Sequence, residues 1–304
     1  MMFQQWKKKY WLAVLLLTLC SSSSTVYAQL NIFACEPEWA ALARTLTGDA
    51  ARVYSATTAQ QDPHHIQARP SLIAKVRRAD MLVCTGAELE VGWLPLLLRK
   101  SGNAKIQPGQ VAYFIATDHV SLLEKPTVLD RSLGDIHAAG NPHIHLDPYR
   151  VQQVAVALVS SLVKIDPSNK NNYQKNLKTF TLEWREAITQ WEKRSERLRG
   201  KRIVVSHNSW IYLERWLGLE RLAVLEPRPG IAPSSSHLGK LLTQLKLSPA
   251  DMILHASYQN DKSALWLSKK TGLPVVGLAF SPADKENLIQ WFDRLLQQLL
   301  SAES

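Results

Sequence analysis

Residues 166–200, DPSNKNNYQKNLKTFTLEWREAITQWEKRSERLRG, decide the fold. Asp166 reads as an N-cap and Pro167 as the first helical residue, a pairing in which a carboxylate meets the orphan N–H groups and proline's missing donor costs nothing. Beyond them Tyr173, Leu177, Phe180, Trp184, Ile188, Trp191 and Leu198 recur three, four or seven residues apart, which places them on one stripe of an α-helix, while Lys and Glu fill the other face. No Gly or Pro interrupts the pattern before Gly200. At 1.5 Å per residue a helix over 167–198 spans roughly 48 Å, about the height of two stacked domains. The spacing therefore predicts a rod holding two lobes at a nearly fixed angle. An amphipathic helix of one ordinary domain is the alternative, and the length argues against it.

On either side of this rod, short apolar runs alternate with helical patterns. Leu30 to Ala34, Ala51 to Tyr54, Met81 to Val83 and Val111 to Ile115 precede it; Ile203 to Val205, Leu222 to Leu225, Met252 to Leu254 and Val275 to Leu278 follow it. Helical stretches such as Leu238 to Leu245 and Asn287 to Leu300 lie between or after them. Strands alternating with helices imply βαβ units and parallel sheets. The expected fold class is α/β, with two lobes of parallel sheet flanked by helices and joined by one long backbone helix. The expected boundaries are 1–28 for a signal peptide, 29–165 for an N-terminal lobe, 166–199 for the linking helix and 200–304 for a C-terminal lobe. The layout repeats between halves; the sequence does not.

The signal peptide is read from Lys7, Lys8 and Lys9, the apolar run Trp11 to Leu19 and a polar stretch ending Val26-Tyr27-Ala28. Its apolar core is shorter than the ~20 residues a membrane-spanning helix needs. Cleavage is expected after Ala28, leaving 276 residues from Gln29, soluble in the periplasm. Leu19 before Cys20 departs from the small residue that lipid attachment favours, which weighs against a lipoprotein. The formal charge falls from +10 to +7 when the three signal lysines leave, and the remaining chain has no Lys/Arg block, so nucleic acid is not expected as a partner. Cys35 and Cys84 each end an apolar run. Neighbouring strands would let them form a disulfide in an exported protein; two unpaired core thiols or metal ligation are the other readings.

Three histidines in turn-like contexts carry the chemistry: His64 in Asp62-Pro63-His64, His143 in Asn141-Pro142-His143 and His207 in Val205-Ser206-His207. Imidazole nitrogen suits borderline-soft divalent ions, and a preceding proline stiffens the turn from which the ligand enters. Any one alone reads as an ordinary surface or capping histidine. All three, however, sit in loops beside strand or helix ends, where parallel α/β lobes bind ligands, so two facing lobes would gather them in one cleft. Zinc takes four tetrahedral ligands, and three imidazoles leave one position open. Water, His255 and a carboxylate such as Glu36 or Glu38 are the candidates. His65 and His145 are expected to point elsewhere, and His137 reads as a solvated loop histidine, with an outer role at the metal or a place in an entrance loop as the alternative.

At these residues the chain resembles the cluster A-I metal-binding proteins of ABC transporters, in particular the periplasmic zinc-binding component of high-affinity zinc uptake systems. The resemblance covers nearly all of the mature chain. It rests on Asp62-Pro63-His64 followed by Arg69-Pro70-Ser71, Ala79-Asp80 leading to Thr85-Gly86 and Leu89-Glu90, Asn141-Pro142-His143 with Leu146-Asp147-Pro148, and Ser206-His207, in that order. It implies a metal held in the cleft by His64, His143 and His207, little hinge motion, delivery of Zn²⁺ to a membrane ABC permease by a monomer, and no enzymatic activity. Two departures stand out. Ala279, in Leu278-Ala279-Phe280, occupies the place where relatives often supply an Asp ligand, and 101–127 contains only His119 where many zinc members carry a His-rich loop. Fewer oxygen donors lean toward zinc over manganese. A zinc hydrolase with a three-histidine site is the rival class, but no His-Glu-x-x-His helix is encoded. A manganese or iron receptor, a metallochaperone or an adhesin would share the binding chemistry.

Overall fold

A computed structural model of the chain describes residues 29–126 and 137–302; the expected signal peptide lies outside the described residues. Strands β1 (Leu30–Ala34), β2 (Ala51–Ser55), β3 (Met81–Cys84) and β4 (Tyr113–Ile115) form a parallel sheet in the order β2-β1-β3-β4. Strands β5 (Arg202–Val205), β6 (Glu220–Val224), β7 (Met252–Ala256) and β8 (Val275–Leu278) form a second parallel sheet with the matching order β6-β5-β7-β8. Helices α1 (Pro37–Thr47), α2 (Pro70–Arg78), α3 (Leu94–Ser101) and α4 (Pro148–Ile165) belong to the first half, and α6 (Ile211–Leu217), α7 (Ser235–Leu247), α8 (Lys262–Thr271) and α9 (Leu288–Ser301) to the second. Between them runs α5 (Lys170–Ser195). None of the described helices is long and apolar enough to cross a membrane.

Both sheets are covered on both faces, so their central strands read as unbroken apolar runs rather than alternating ones. Period-two geometry still divides them. Ile32, Ala34, Met81 and Val83 point into the central core, whereas Phe33, Cys35, Leu82 and Cys84 point into a second cluster with Leu72, Val76 and Leu97 of α2 and α3. In the second sheet Ile203, Val205, Met252 and Leu254 face the same central core, while Val204 and Ile253 meet α7 and α8. Cys35 and Cys84, one residue past β1 and at the end of β3, are joined in a disulfide with a Cα–Cα separation of 4.8 Å.

The central core is continuous through both lobes, and α5 supplies its spine. Tyr173, Phe180, Trp184, Ile188 and Trp191 are buried along one side of that helix. Trp184 donates its indole N–H to the Pro148 carbonyl of α4 at 2.8 Å and packs edge-on against Phe292 of α9 at 5.3 Å, so one side chain touches an element from each half. A shared apolar core opposes hinge opening, because separating the lobes would expose it to water.

The structure corrects the helix ends. The expected single helix over 167–198 is a 3₁₀ turn at Pro167–Asn169, the 26-residue α5 of about 39 Å, and a 3₁₀ turn at Glu196–Leu198. Asp166 does not cap backbone N–H groups. Its carboxylate is taken by side chains, accepting from the hydroxyls of Ser168 and Tyr173 and the amide of Asn169. Truncating Trp184 to Ala should cost about 3–5 kcal/mol in urea unfolding, as removal of a large core aromatic does, whereas Leu182→Ala on the exposed face should stay within about 0.5 kcal/mol.

Candidate metal centre

Asp62-Pro63-His64 and Asn141-Pro142-His143 fold into the same local device. The side-chain oxygen of the first residue reaches forward to the backbone N–H two positions on, an Asx-type turn, and proline presets the backbone between them. Asp62 Oδ1 accepts from His64 N at 2.9 Å and from His64 Nδ1 at 2.8 Å; Asn141 Oδ1 accepts from His143 N at 3.1 Å and from His143 Nδ1 at 2.8 Å. One oxygen thus fixes both the turn and the imidazole tautomer, leaving Nε2 as a bare acceptor. His64 lies in the connection from β2 to α2, and His143 lies ahead of α4, whose start is capped by Asp147 through the N–H groups of Tyr149 and Arg150.

His207 follows β5 and reaches the same state by a different route. Its Nδ1 donates to Glu226 Oε2 at 2.7 Å. β5 and β6 pair in parallel with Val205 opposite Val224, so His207 and Glu226 stand two residues beyond matched positions on neighbouring strands. Glu226 Oε2 also accepts from Gly230 N at 2.9 Å, which anchors the loop.

The three rings converge. One imidazole nitrogen from each of His64, His143 and His207 lies within 4.8 Å of the others. Ring centroids are 5.7 Å apart for His64 and His143, 5.9 Å for His64 and His207, and 6.1 Å for His143 and His207. His143 Nε2 is buried with no hydrogen-bond partner, an expensive state for a nitrogen lone pair unless something electrophilic meets it. Burial, reinforced by the neighbouring His64 and His207, holds the His143 pKa well below its ordinary value. Burial disfavours the Asp62 carboxylate, but its hydrogen bond and charge interaction with His64 outweigh that and keep its pKa low. Three imidazoles, two of them backed by the Asp62 and Glu226 carboxylates, form a donor set suited to a divalent cation. A cleft of ≈ 520 Å³ opens beside the group, lined from one lobe by Asp62, His64 and His65 and from the other by His207, Glu226 and Tyr258.

The carboxylates named as possible fourth donors are committed only in part, since Glu36 Oε1 and Glu38 Oε2 are buried without a hydrogen-bond partner. Glu36 Oε2 accepts from the Thr85 hydroxyl at 2.9 Å, and Glu90 Oε1 from Thr85 N at 2.7 Å, so these two buried acids hold the loop after β3. Burial and the charge of Glu90 push the Glu36 pKa well up, and burial raises Glu90 to about 7. Glu38 lies 3.5 Å from His145 Nδ1, and His145 Nε2 donates to the Phe280 carbonyl at 3.2 Å. His255 is within β7, its Nδ1 near the Ala256 carbonyl and its ring against Gly277 of β8. Ala279 donates its backbone N–H to Gln298 and offers no ligand; Phe280 beside it packs on His143 and His145 at 5.5 and 4.9 Å and walls the site with an apolar ring.

His137 departs from expectation. It is not a solvated loop residue: its ring is half-buried beside His64, with centroids 5.4 Å apart, and its Nδ1 donates to the Ala87 carbonyl at 2.9 Å. Glu226 was also missed. It stands 19 residues from His207 without a shared motif, and only the β5/β6 register could have located it.

A second, polar set of contacts crosses between the lobes at Asn141. Its amide donates to Glu124 Oε2 at 3.0 Å and to the Asn208 carbonyl at 2.9 Å, while its own carbonyl accepts from the Tyr212 hydroxyl at 2.6 Å. Arg221 Nη2 donates to Glu124 Oε1 at 2.6 Å. The residue that orients His143 is therefore fixed from the opposite lobe.

The Glu38–His145 pair gives the site a pH signature. Burial raises Glu38 to about 7 and lowers His145 to about 3, so both are neutral around pH 5. A carboxyl whose folded pKa exceeds its unfolded value withdraws stability as pH climbs between the two. Glu38→Gln should therefore gain on the parent, by on the order of 2 kcal/mol, when metal-free unfolding is compared at pH 5 and pH 8.

The comparisons with known proteins point to one family. The family model for zinc-uptake complex component A, periplasmic (ZnuA), matches residues 32–302. Similar curated proteins include the high-affinity zinc uptake system protein ZnuA of Bacillus subtilis strain 168, 23% identical over 89% of this chain and 87% of its own length. Another is the iron ABC transporter substrate-binding lipoprotein MtsA of Streptococcus pyogenes serotype M1, 24% identical over 89% of this chain and 86% of its own. A crystal structure of ZnuA superimposes with a TM-score of 0.75 at 23% identity, covering 91% of this chain and all of that one, and shares the two-lobe α/β fold. Substrate-binding components of ABC transporters bind and deliver rather than catalyse, and the chain belongs to the ZnuA family of metal-binding components of such transporters.

Proposed function

We propose that the chain is a periplasmic receptor, beginning at Gln29 after signal cleavage, that takes Zn²⁺ between lobes 29–165 and 200–304 and passes it to a membrane ABC permease. The observation that carries this reading is the convergence of His64, His143 and His207 with every Nδ1 donated to an oxygen. Nitrogen donors favour zinc over manganese or iron in divalent form, which take more oxygen. The two outer carboxylates, Asp62 and Glu226, balance the charge of a divalent ion without occupying its coordination sphere. Ala279 in place of an acidic residue removes an oxygen that would widen the choice of metal.

Equilibrium dialysis of the mature protein against Zn²⁺, Mn²⁺ and Fe²⁺ should recover one equivalent of zinc in preference to the others; preferential loading with manganese or iron would contradict the zinc assignment. His207→Ala should weaken zinc binding by orders of magnitude, and Glu226→Ala by about 10- to 100-fold through loss of ring orientation. His145→Ala should do much less, and equal losses from His145 and His207 would misplace the site. Because imidazole binds metal only when neutral, zinc affinity should fall as pH drops through roughly 6 to 7, and a flat profile down to pH 5 would oppose histidine ligation.

A further inference from the structure

We propose that His137 supplies a fourth imidazole to the bound cation, completing an all-nitrogen tetrahedron with His64, His143 and His207; this rests on the metal-receptor reading above. His137 Nε2 stands 3.3 Å from His64 Nε2. A carbonyl oxygen can only accept, so the contact of His137 Nδ1 with Ala87 O places its proton on Nδ1, just as Asp62 places the His64 proton on Nδ1. With both Nδ1 atoms protonated, the two Nε2 atoms face each other, an arrangement that is favourable only around a shared cation or proton. The separation also matches the metal. Zn–N bonds of 2.0–2.1 Å set the N···N edge of a tetrahedron at about 3.3–3.4 Å.

The support beneath His137 is built rather than incidental. Gly86, Ala87 and Glu88 hold consecutive left-handed φ values of 86°, 46° and 67°, conformations that residues with a Cβ adopt only when held there. What holds them is in place. Glu90 accepts from the Thr85 and Gly86 N–H groups, and a Cβ on Gly86 would sit 2.1 Å from Ile115 Cγ2, so this turn is pinned against β4. Its far end presents the Ala87 carbonyl to His137 Nδ1, and Glu88 accepts from the Ala138 N–H at 2.8 Å. Two contacts from one strained turn thus hold a single imidazole against His64. Among the other donors nearby, Glu36 Oε2 accepts from Thr85, His145 Nε2 donates to the Phe280 carbonyl and His255 Nδ1 lies against the Ala256 carbonyl. Four nitrogens and no protein oxygen would sharpen the preference for zinc over manganese.

Zinc K-edge X-ray absorption on the zinc-loaded mature protein and on His137→Ala, with chelator-competition titration of both, tests this. The wild type should fit four imidazole nitrogens near 2.0 Å, and the variant three imidazoles plus one oxygen with zinc affinity reduced about 10- to 100-fold. Three imidazoles and an oxygen in the wild type would overturn the proposal while leaving the receptor reading intact, as would a variant with unchanged coordination and affinity. Fewer than three imidazoles in the wild type would overturn both. The wild-type coordination number decides the matter by itself should the variant fail to fold.

Discussion

Each of the three converging imidazoles gives its Nδ1 proton to an oxygen, of Asp62, Asn141 or Glu226, and from that constraint the rest of the site follows. A histidine free to choose its tautomer presents a donor as readily as an acceptor, and a ring free to rotate pays for ordering when metal arrives. Fixing the proton and the ring beforehand removes both costs, which is the physical content of a preformed site. The arrangement leaves a buried, unpartnered Nε2 on His143, a local penalty that only an electrophile relieves.

Holding such a constellation requires that the lobes not drift. The apolar core running through both halves, with α5 as its spine, does this from below, and the polar crossing at Asn141 does it beside the three rings. Asn141 belongs to both arrangements: Oδ1 orients His143, while the rest of the side chain and its carbonyl are held by Glu124, Asn208 and Tyr212. A shift of the second lobe would therefore move His143 of the first. Receptors that clamp sugars work by swinging domains; this molecule has its donors in position and its core shared, so local adjustments around the cleft are the motions its packing leaves inexpensive.

Much of this was legible in the residues. All eight strands overlap the apolar runs, with ends displaced by two residues or fewer, and the central strands are mostly apolar because they are buried on both faces. The stripe from Tyr173 to Trp191 identified the spine, but its N-terminal end was misread: Asp166 looked like a cap, and Ser168, Asn169 and Tyr173, all within seven residues, claimed its carboxylate. The Asx-Pro-His motifs stood in plain view, although what the Asp62 and Asn141 oxygens do became apparent only from their geometry. Glu226 and the support for His137 were invisible for a deeper reason. Both depend on which strand ends and turns meet in space, the first on the β5/β6 register and the second on a left-handed turn after β3, and neither leaves a local pattern.

The account stands on one cation gripped by imidazoles from both lobes. Anomalous diffraction from crystals of the zinc-loaded mature protein, collected on either side of the zinc absorption edge, addresses it directly. It should give a single strong peak within bonding distance of Nε2 of His64, His143 and His207 together. A peak placed against one lobe alone, or away from these rings, would contradict it.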